Sequence, residues 1–165
     1  MKILKTTYLS IGSNIGDRLQ NINDAVNFIG QKIGYINKTS SVYKTESWGF
    51  KSDEFLNICL SVDTYLNPIQ VLNNIIIIES ILGRSRSKIK TYIARTIDID
   101  ILLFENEIIK SPKLVIPHPK MLQRKFVMVP LAEIAPNKIH PIENKTIKKC
   151  LDSCSDILLV VDHVV

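Results

Sequence analysis

The chain has only three cysteines and one tryptophan in 165 residues, and no apolar run nears the ~20 residues needed to cross a bilayer. Cys59, Cys150 and Cys154 are too few, and odd in number, for a disulfide framework; they predict reduced thiols in a cytoplasmic setting. The most apolar stretch, Ile75 to Ile78, stops at Glu79. Met1 to Lys5 begins with charge, but Thr6 and Thr7 leave no room for the apolar region of a secretory leader. Repeats, low-complexity tracts and Pro/Gly-rich linkers are missing as well, so the length predicts one domain over 1–165. There is no glycine-rich loop ending in Gly-Lys-Ser/Thr and no kinase glycine loop, so any nucleotide site must use another design. Gly12 to Gly16 is not a dinucleotide fingerprint either and reads as a strand-to-helix turn.

What is present is an ordinary globular composition, 45% hydrophobic and 22% charged, which excludes disordered and fibrous classes. An excess of basic residues leaves a formal charge of +5. That favours anionic ligands, with nucleotides, nucleic acid and acidic lipid all open. Lys5 to Ile11 reads as a strand ended by Gly12-Ser13-Asn14, and Ile15, Leu19, Ile22, Ala25, Val26 and Ile29 follow at helical spacing. Ile36 to Thr45 looks extended and Ser47 to Asp53 looks like a loop. From Phe55 to Leu66 the residues alternate, Leu56, Ile58, Leu60 and Val62 opposite Phe55, Asn57, Cys59 and Ser61. Asn67-Pro68 opens a helix that runs to Gly83. Thr96 to Phe104 alternates again, with Ile97, Ile99, Ile101 and Leu103 opposite Asp98 and Asp100. Pro112, Pro117, Pro119, Pro130 and Pro136 keep the later chain in short pieces, apart from a turn of helix at Leu131 to Ala135; Ile157 to Val161 reads as a terminal strand or packing segment. The order β-α-β-β-α-β predicts a ferredoxin-like α+β sandwich.

Asp98 and Asp100 stand two apart on a strand, so both carboxylates share one face at roughly 6.6 Å between Cα positions. Such a pair is a hard-oxygen platform for Mg²⁺, although a solvated sheet face is the plainer alternative. Arg84, Arg86, Lys88, Lys90 and Arg95 precede it; guanidinium groups grip phosphate oxygens in pairs, while a solvated loop would look the same. His118 lies between Pro117 and Pro119 on a stiff segment, and a lone histidine is more often structural. Trp48, Phe55 and Phe126 could belong to a core. Trp48 sits in a polar loop, however, and Phe55 shares a face with Asn57. Aromatic faces beside an amide that both donates and accepts suit a flat heteroaromatic ligand. Cys150 and Cys154 have near-metal spacing, but only His140 and His163 stand near them, too little for zinc.

Together these pieces resemble the 6-hydroxymethyl-7,8-dihydropterin pyrophosphokinase family of folate biosynthesis, over about Tyr8 to Pro136. The marks are Ile11-Gly12-Ser13-Asn14, Tyr43-Lys44-Thr45, Phe55-Leu56-Asn57, Glu79 before Gly83-Arg84-Ser85-Arg86, and Arg95 through Phe104. Pro117-His118-Pro119, Arg124-Lys125-Phe126-Val127 and Pro130 to Pro136 complete them. The resemblance implies transfer of pyrophosphate from ATP to the hydroxymethyl oxygen, with AMP released. It implies two Mg²⁺ ions on Asp98 and Asp100, with Arg84 and Arg95 reaching the phosphates as catalytic residues. Thr45, Trp48, Phe55, Asn57 and Phe126 would hold the pterin. Glu79, Arg86, Tyr92, Ile101, Lys113, His118 and Arg124 would surround ATP. The resemblance departs at Tyr92-Ile93-Ala94, where the family usually has Trp-Gly-Pro, at Ile76 for a frequent Gln, and at Lys113 for a frequent Arg.

The expected partners are small molecules, with no nucleic acid and no membrane, and a monomer in the cytoplasm. Besides a nucleotidyl transferase with an Asp-x-Asp metal site, which would release pyrophosphate instead of AMP, two alternatives stand beside this reading. One is a ferredoxin-like RNA-binding module, although two sheet-face aspartates would repel phosphates unless metal is bound. The other is an inactive relative of the family.

Overall fold

Side-chain caps start both of the long helices. The Asp17 side chain accepts the Gln20 N–H at 3.0 Å and opens α1 (Arg18–Lys32), which follows β1 (Lys5–Ser13). Two strands come next, β2 (Tyr35–Thr39) and β3 (Tyr43–Thr45), then the long β4 (Phe55–Thr64). Asn67 and Gln70 exchange bonds of 2.9 Å as a capping box, with Pro68 in the first turn of α2 (Pro68–Ile81). After β5 (Asp98–Phe104) come the hairpin strands β6 (Ile109–Lys110) and β7 (Val115–Ile116), then α3 (Lys125–Ile134), α4 (Ile147–Asp152) and β8 (Val160–Asp162). This computed structural model describes residues 1–46, 54–83 and 96–163.

The main sheet runs β5-β1-β4-β3-β8, with β2 pairing on β4 beyond β3. The pairings of β1, β4 and β5 are antiparallel. With α1 and α2 as the crossovers, this is the ferredoxin-like arrangement. One face carries Leu9, Ile11, Leu56, Ile58, Leu60, Val62, Ile99 and Ile101, which close on Ile22, Ala25 and Ile29 of α1 and Val71, Ile75 and Ile78 of α2. The opposite face is half covered. There Cys59, Leu102 and Leu103 pack with Met121, Val127, Met128 and Leu131 of the α3 region. The other half of that face, toward Gly12 and Asp98, carries the polar residues.

The structure differs from the sequence expectations in several places. The first strand continues through Gly12 and Ser13, because both pair with β4. Ile15 precedes the Asp17 cap and is exposed, so it is not on the buried side of α1. Leu103 belongs with Cys59 and not with Ile101: the register with β1 slips between Tyr8 and Leu9, leaving Leu102 as an extra residue. A one-residue insertion of this kind reverses which side chains face which way beyond it. Lastly, α3 is ten residues long and contains Pro130, where only one turn of helix was expected. Proline removes one helical N–H but is tolerated where packing holds the helix, and Pro130 is buried. Helix α4, started by Thr146 capping Lys149 at 3.2 Å, has no counterpart in the expectations.

Gly34 links α1 to β2 under the sheet edge. A Cβ there would collide with the Asp63 carbonyl oxygen, a backbone atom that cannot turn aside. Gly34→Ala should therefore separate β2 from β4 and cost about 3 kcal/mol, the upper end for an overpacked site. Urea unfolding of the variant measures this, and a loss below 1 kcal/mol would mean the strands are not held this closely.

Candidate active site

The polar half of the second face is organised by cross-strand rows. Gly12 of β1 pairs with Asn57 of β4 on one side and with Asp98 of β5 on the other. Tyr43 of β3 continues that row beyond Asn57. In the adjacent row Ser10 pairs with Asp100 and with Cys59. Asp98 and Asn57 are thus two strand spacings apart, about 10 Å, with a residue that has no side chain between them. A Cβ on Gly12 would meet Asn57 Oδ1 at 3.0 Å and Phe55 Cδ1 at 3.5 Å. Glycine leaves an open floor between a carboxylate pair and an amide.

Asn57 is buried, and its Nδ2 donates to Thr45 Oγ1 at 3.0 Å, so Thr45 sets the orientation of the amide. Thr45 is itself buried and pairs with Phe55. Cys59 lies two residues beyond Asn57 on the same face, and its thiol donates to the Val127 carbonyl at 3.6 Å. That contact seats the first turn of α3 on β4 and brings Phe126 to this side. The Arg124 guanidinium carbon lies 5.8 Å from the centre of the Phe126 ring, close enough for a cation–π contact.

Asp98 and Asp100 are both partly exposed on edge strand β5. The start of that strand is fixed from a distance. Ser13 Oγ donates to the Thr96 carbonyl at 2.5 Å, and Asn21 Nδ2 donates to the same oxygen at 3.2 Å. His118 is tied to β5 by its N–H donating to the Leu102 carbonyl at 2.9 Å. Its Nδ1 accepts the Lys120 N–H at 3.1 Å, which leaves Nε2 to carry the ring proton, and Nε2 is 3.9 Å from Asp100 Oδ2. Burial, then the Arg124 charge, lowers the His118 pKa to about 4, against a raising effect of Asp98. The distance alone would suit an ion pair, but the neutral ring is the better reading, because burial and Arg124 both oppose a second proton.

The remaining expected residues fall as follows. Ile101 is buried on the helix side of β5, so its side chain lies away from the aspartates and only its backbone can reach a ligand at this edge. Glu79 is buried on α2 and Lys113 is exposed in the turn between β6 and β7. Trp48, Arg84, Arg86, Tyr92 and Arg95 lie outside the described residues. Among those described, no cluster of three or more His, Cys, Asp or Glu side chains could hold a metal by itself. Among the described residues no helix is long and apolar enough to cross a membrane. The functional consequence of Gly12 and the support from Asn21 were not visible in the sequence, since both depend on what β1 and β5 bring beside them.

Residues 8–136 match the family model for 7,8-dihydro-6-hydroxymethylpterin-pyrophosphokinase. The chain belongs to that family. It is 41% identical to a 2-amino-4-hydroxy-6-hydroxymethyldihydropteridine pyrophosphokinase of Aquifex aeolicus, covering 88% of this chain and 90% of that protein. A protein of the same description from Bacillus subtilis is 42% identical, over 77% of this chain and 76% of that one. A Plasmodium falciparum HPPK-DHPS crystal structure superposes with a TM-score of 0.73 at 17% identity. It covers 93% of this chain, which spans 46% of the solved one, and at that identity the likeness concerns the fold. The enzyme is thus a pyrophosphokinase with ATP as its co-substrate, and an RNA-binding module is not favoured. The sheet agrees, since α3 lies over the face such a module would leave open.

A proton titration of the His118 ring by NMR should show a midpoint near 4, and one near 6.5 would refute the buried neutral ring. The folded pKa is below that of the unfolded chain, so the unfolded state binds the proton first as pH falls. Stability should drop between about pH 6.5 and 4, by up to ~3 kcal/mol, and level off below that.

Proposed function

We propose that the chain transfers the pyrophosphoryl unit of ATP to the hydroxymethyl oxygen of 6-hydroxymethyl-7,8-dihydropterin. The substrate oxygen attacks the β-phosphorus, the bond to the α-phosphate oxygen breaks, AMP leaves, and the hydroxyl proton is lost. The observation that carries this is the row in which Gly12 separates Asp98 from Asn57. It offers room for a flat ring on one side and a carboxylate pair for a charged tail on the other. Residues 1–165 act as one domain in this reading.

Asn57 supports recognition of the pterin edge. With one Nδ2 hydrogen given to Thr45, its Oδ1 is left facing the Gly12 floor, where the ring and amino N–H groups of a pterin can donate. Phe55 and Phe126 supply aromatic faces for the ring, and Trp48 is assigned to the same pocket on the resemblance. His118, neutral and with its proton on Nε2, donates a hydrogen bond beside Asp100 without adding charge. Arg124 provides fixed positive charge. Glu79, Arg86, Tyr92, Lys113 and the Ile101 backbone are assigned to the nucleotide, and Arg84 and Arg95 to its phosphates.

The donor set fits magnesium. Mg²⁺ commonly takes one or two protein carboxylates and fills its remaining positions with phosphate oxygens and water, and two aspartates without a third protein ligand are what such binding uses. Two Mg²⁺ ions held by Asp98 and Asp100 would neutralise the phosphate charge that builds as the bond to AMP breaks. The chain itself contributes position: phosphoryl transfer depends on alignment and charge more than on a covalent nucleophile.

Incubation with ATP, Mg²⁺ and the hydroxymethyl-dihydropterin should release AMP; ADP, or no nucleotide product, would overturn the proposal and in the second case favour an inactive relative. Asp98→Ala and Asp100→Ala should each abolish turnover with an unchanged circular dichroism spectrum, and near-normal rates in either would remove the metal assignment. Gly12→Ala should raise the KM for the pterin about tenfold, since its methyl group presses on the Asn57 oxygen, while the KM for ATP changes little.

A further inference from the structure

Helix α3 carries Arg124 at its N-cap and Phe126 in its first turn, yet the Arg124 side chain makes no capping bond and the first turn has no acidic residue. The open N–H groups at such an end need an acceptor. One comes from the far end of the chain. Asp156 Oδ2 accepts the Lys125 N–H at 3.0 Å, and Oδ1 of the same carboxylate accepts the Leu158 N–H at 3.0 Å. The segment then turns onto β3, where Val160, Val161 and Asp162 pair with Thr45, Lys44 and Tyr43. The His163 N–H closes on the Val42 carbonyl at 2.7 Å. The segment itself, residues 156–163, lies beyond residues 8–136 matched by the family model, while the residues it binds lie within them.

We infer that residues 156–163 are a positioning strap for the pterin side of the site, with Asp156 as its principal residue. The inference rests on the function proposed above. Lys125, whose N–H is held, stands between Arg124 and Phe126, so the carboxylate fixes the backbone that aims the Phe126 ring. At its other end the strap makes β3 an interior strand, which holds Thr45 and, through the Thr45 hydroxyl, the Asn57 amide. Both walls of the pterin pocket are thereby joined by one short segment. Among the described residues assigned to the nucleotide, Arg124 is the one next to the bonded Lys125. Asp156 touches no substrate in this assignment; it acts through Phe126 and β3.

The test is equilibrium binding to the full-length chain, using the intrinsic fluorescence of hydroxymethyl-dihydropterin and, separately, a non-hydrolysable ATP analogue with Mg²⁺. Asp156→Ala should weaken pterin binding about tenfold, as the loss of a helix cap allows, and nucleotide binding less than threefold. Asp156→Asn keeps the shape and one acceptor oxygen and should fall between Asp156→Ala and wild type; it also serves where the alanine variant does not fold. Amide exchange at Lys125 should speed up in step with the loss of pterin affinity. Equal weakening of both ligands, or unchanged pterin affinity in a folded variant, would overturn the strap. Failure of the unaltered chain to bind the pterin would instead sink the functional reading beneath it.

Discussion

Strand β1 pairs with β4 on one side and β5 on the other, and both halves of the site inherit their places from that pairing. The carboxylates come from β5 and the amide from β4, more than forty residues apart in the chain, and only the β1 register sets one against the other. A slip of one residue would turn Asp98 and Asp100 toward the isoleucines of the helix side. Such a slip is opposed by Leu9, Ile11, Ile58, Leu60 and Ile99, all sealed against α1 and α2. The apolar core thus does more than hold the protein together: it fixes the distance across which the reaction is proposed to run.

Much of this was legible from local pattern. The alternation in β4 and the Asn67-Pro68 start of α2 are local chemistry, and the structure follows them closely. Asp-x-Asp could be read as one-faced because strand geometry alone decides it. What stayed hidden was set by partners distant in sequence. The bulge at Leu102 is invisible until β1 is laid beside β5. Pro130 reads as a breaker until α3 is seen lying on β4. Gly12 looks like the end of a strand until Asn57 and Asp98 stand on either side of it.

The second face also shows how helix and sheet are fastened around a pocket. Glu133 of α3 accepts from the Ser41 N–H at 3.0 and 3.1 Å, from the Ser41 hydroxyl at 2.8 Å and from the Tyr43 hydroxyl at 2.6 Å. Burial and this carboxylate push the Tyr43 hydroxyl up to about 12, so it remains a donor throughout the physiological range. The bend between β2 and β3 is clasped from above by one acidic residue near the end of α3, while the start of that helix is held by another acidic residue from the C-terminal segment.

Cys59 lies beneath that helix. Burial drives its thiol far above the ordinary cysteine range, and its sulfur rests against the Val127 carbonyl. Only the thiolate reacts readily with alkylating agents and oxidants, so the sulfur is silent while α3 lies down. Its rate of modification is accordingly a native clock, needing no introduced label, for how often the helical wall lifts off the sheet.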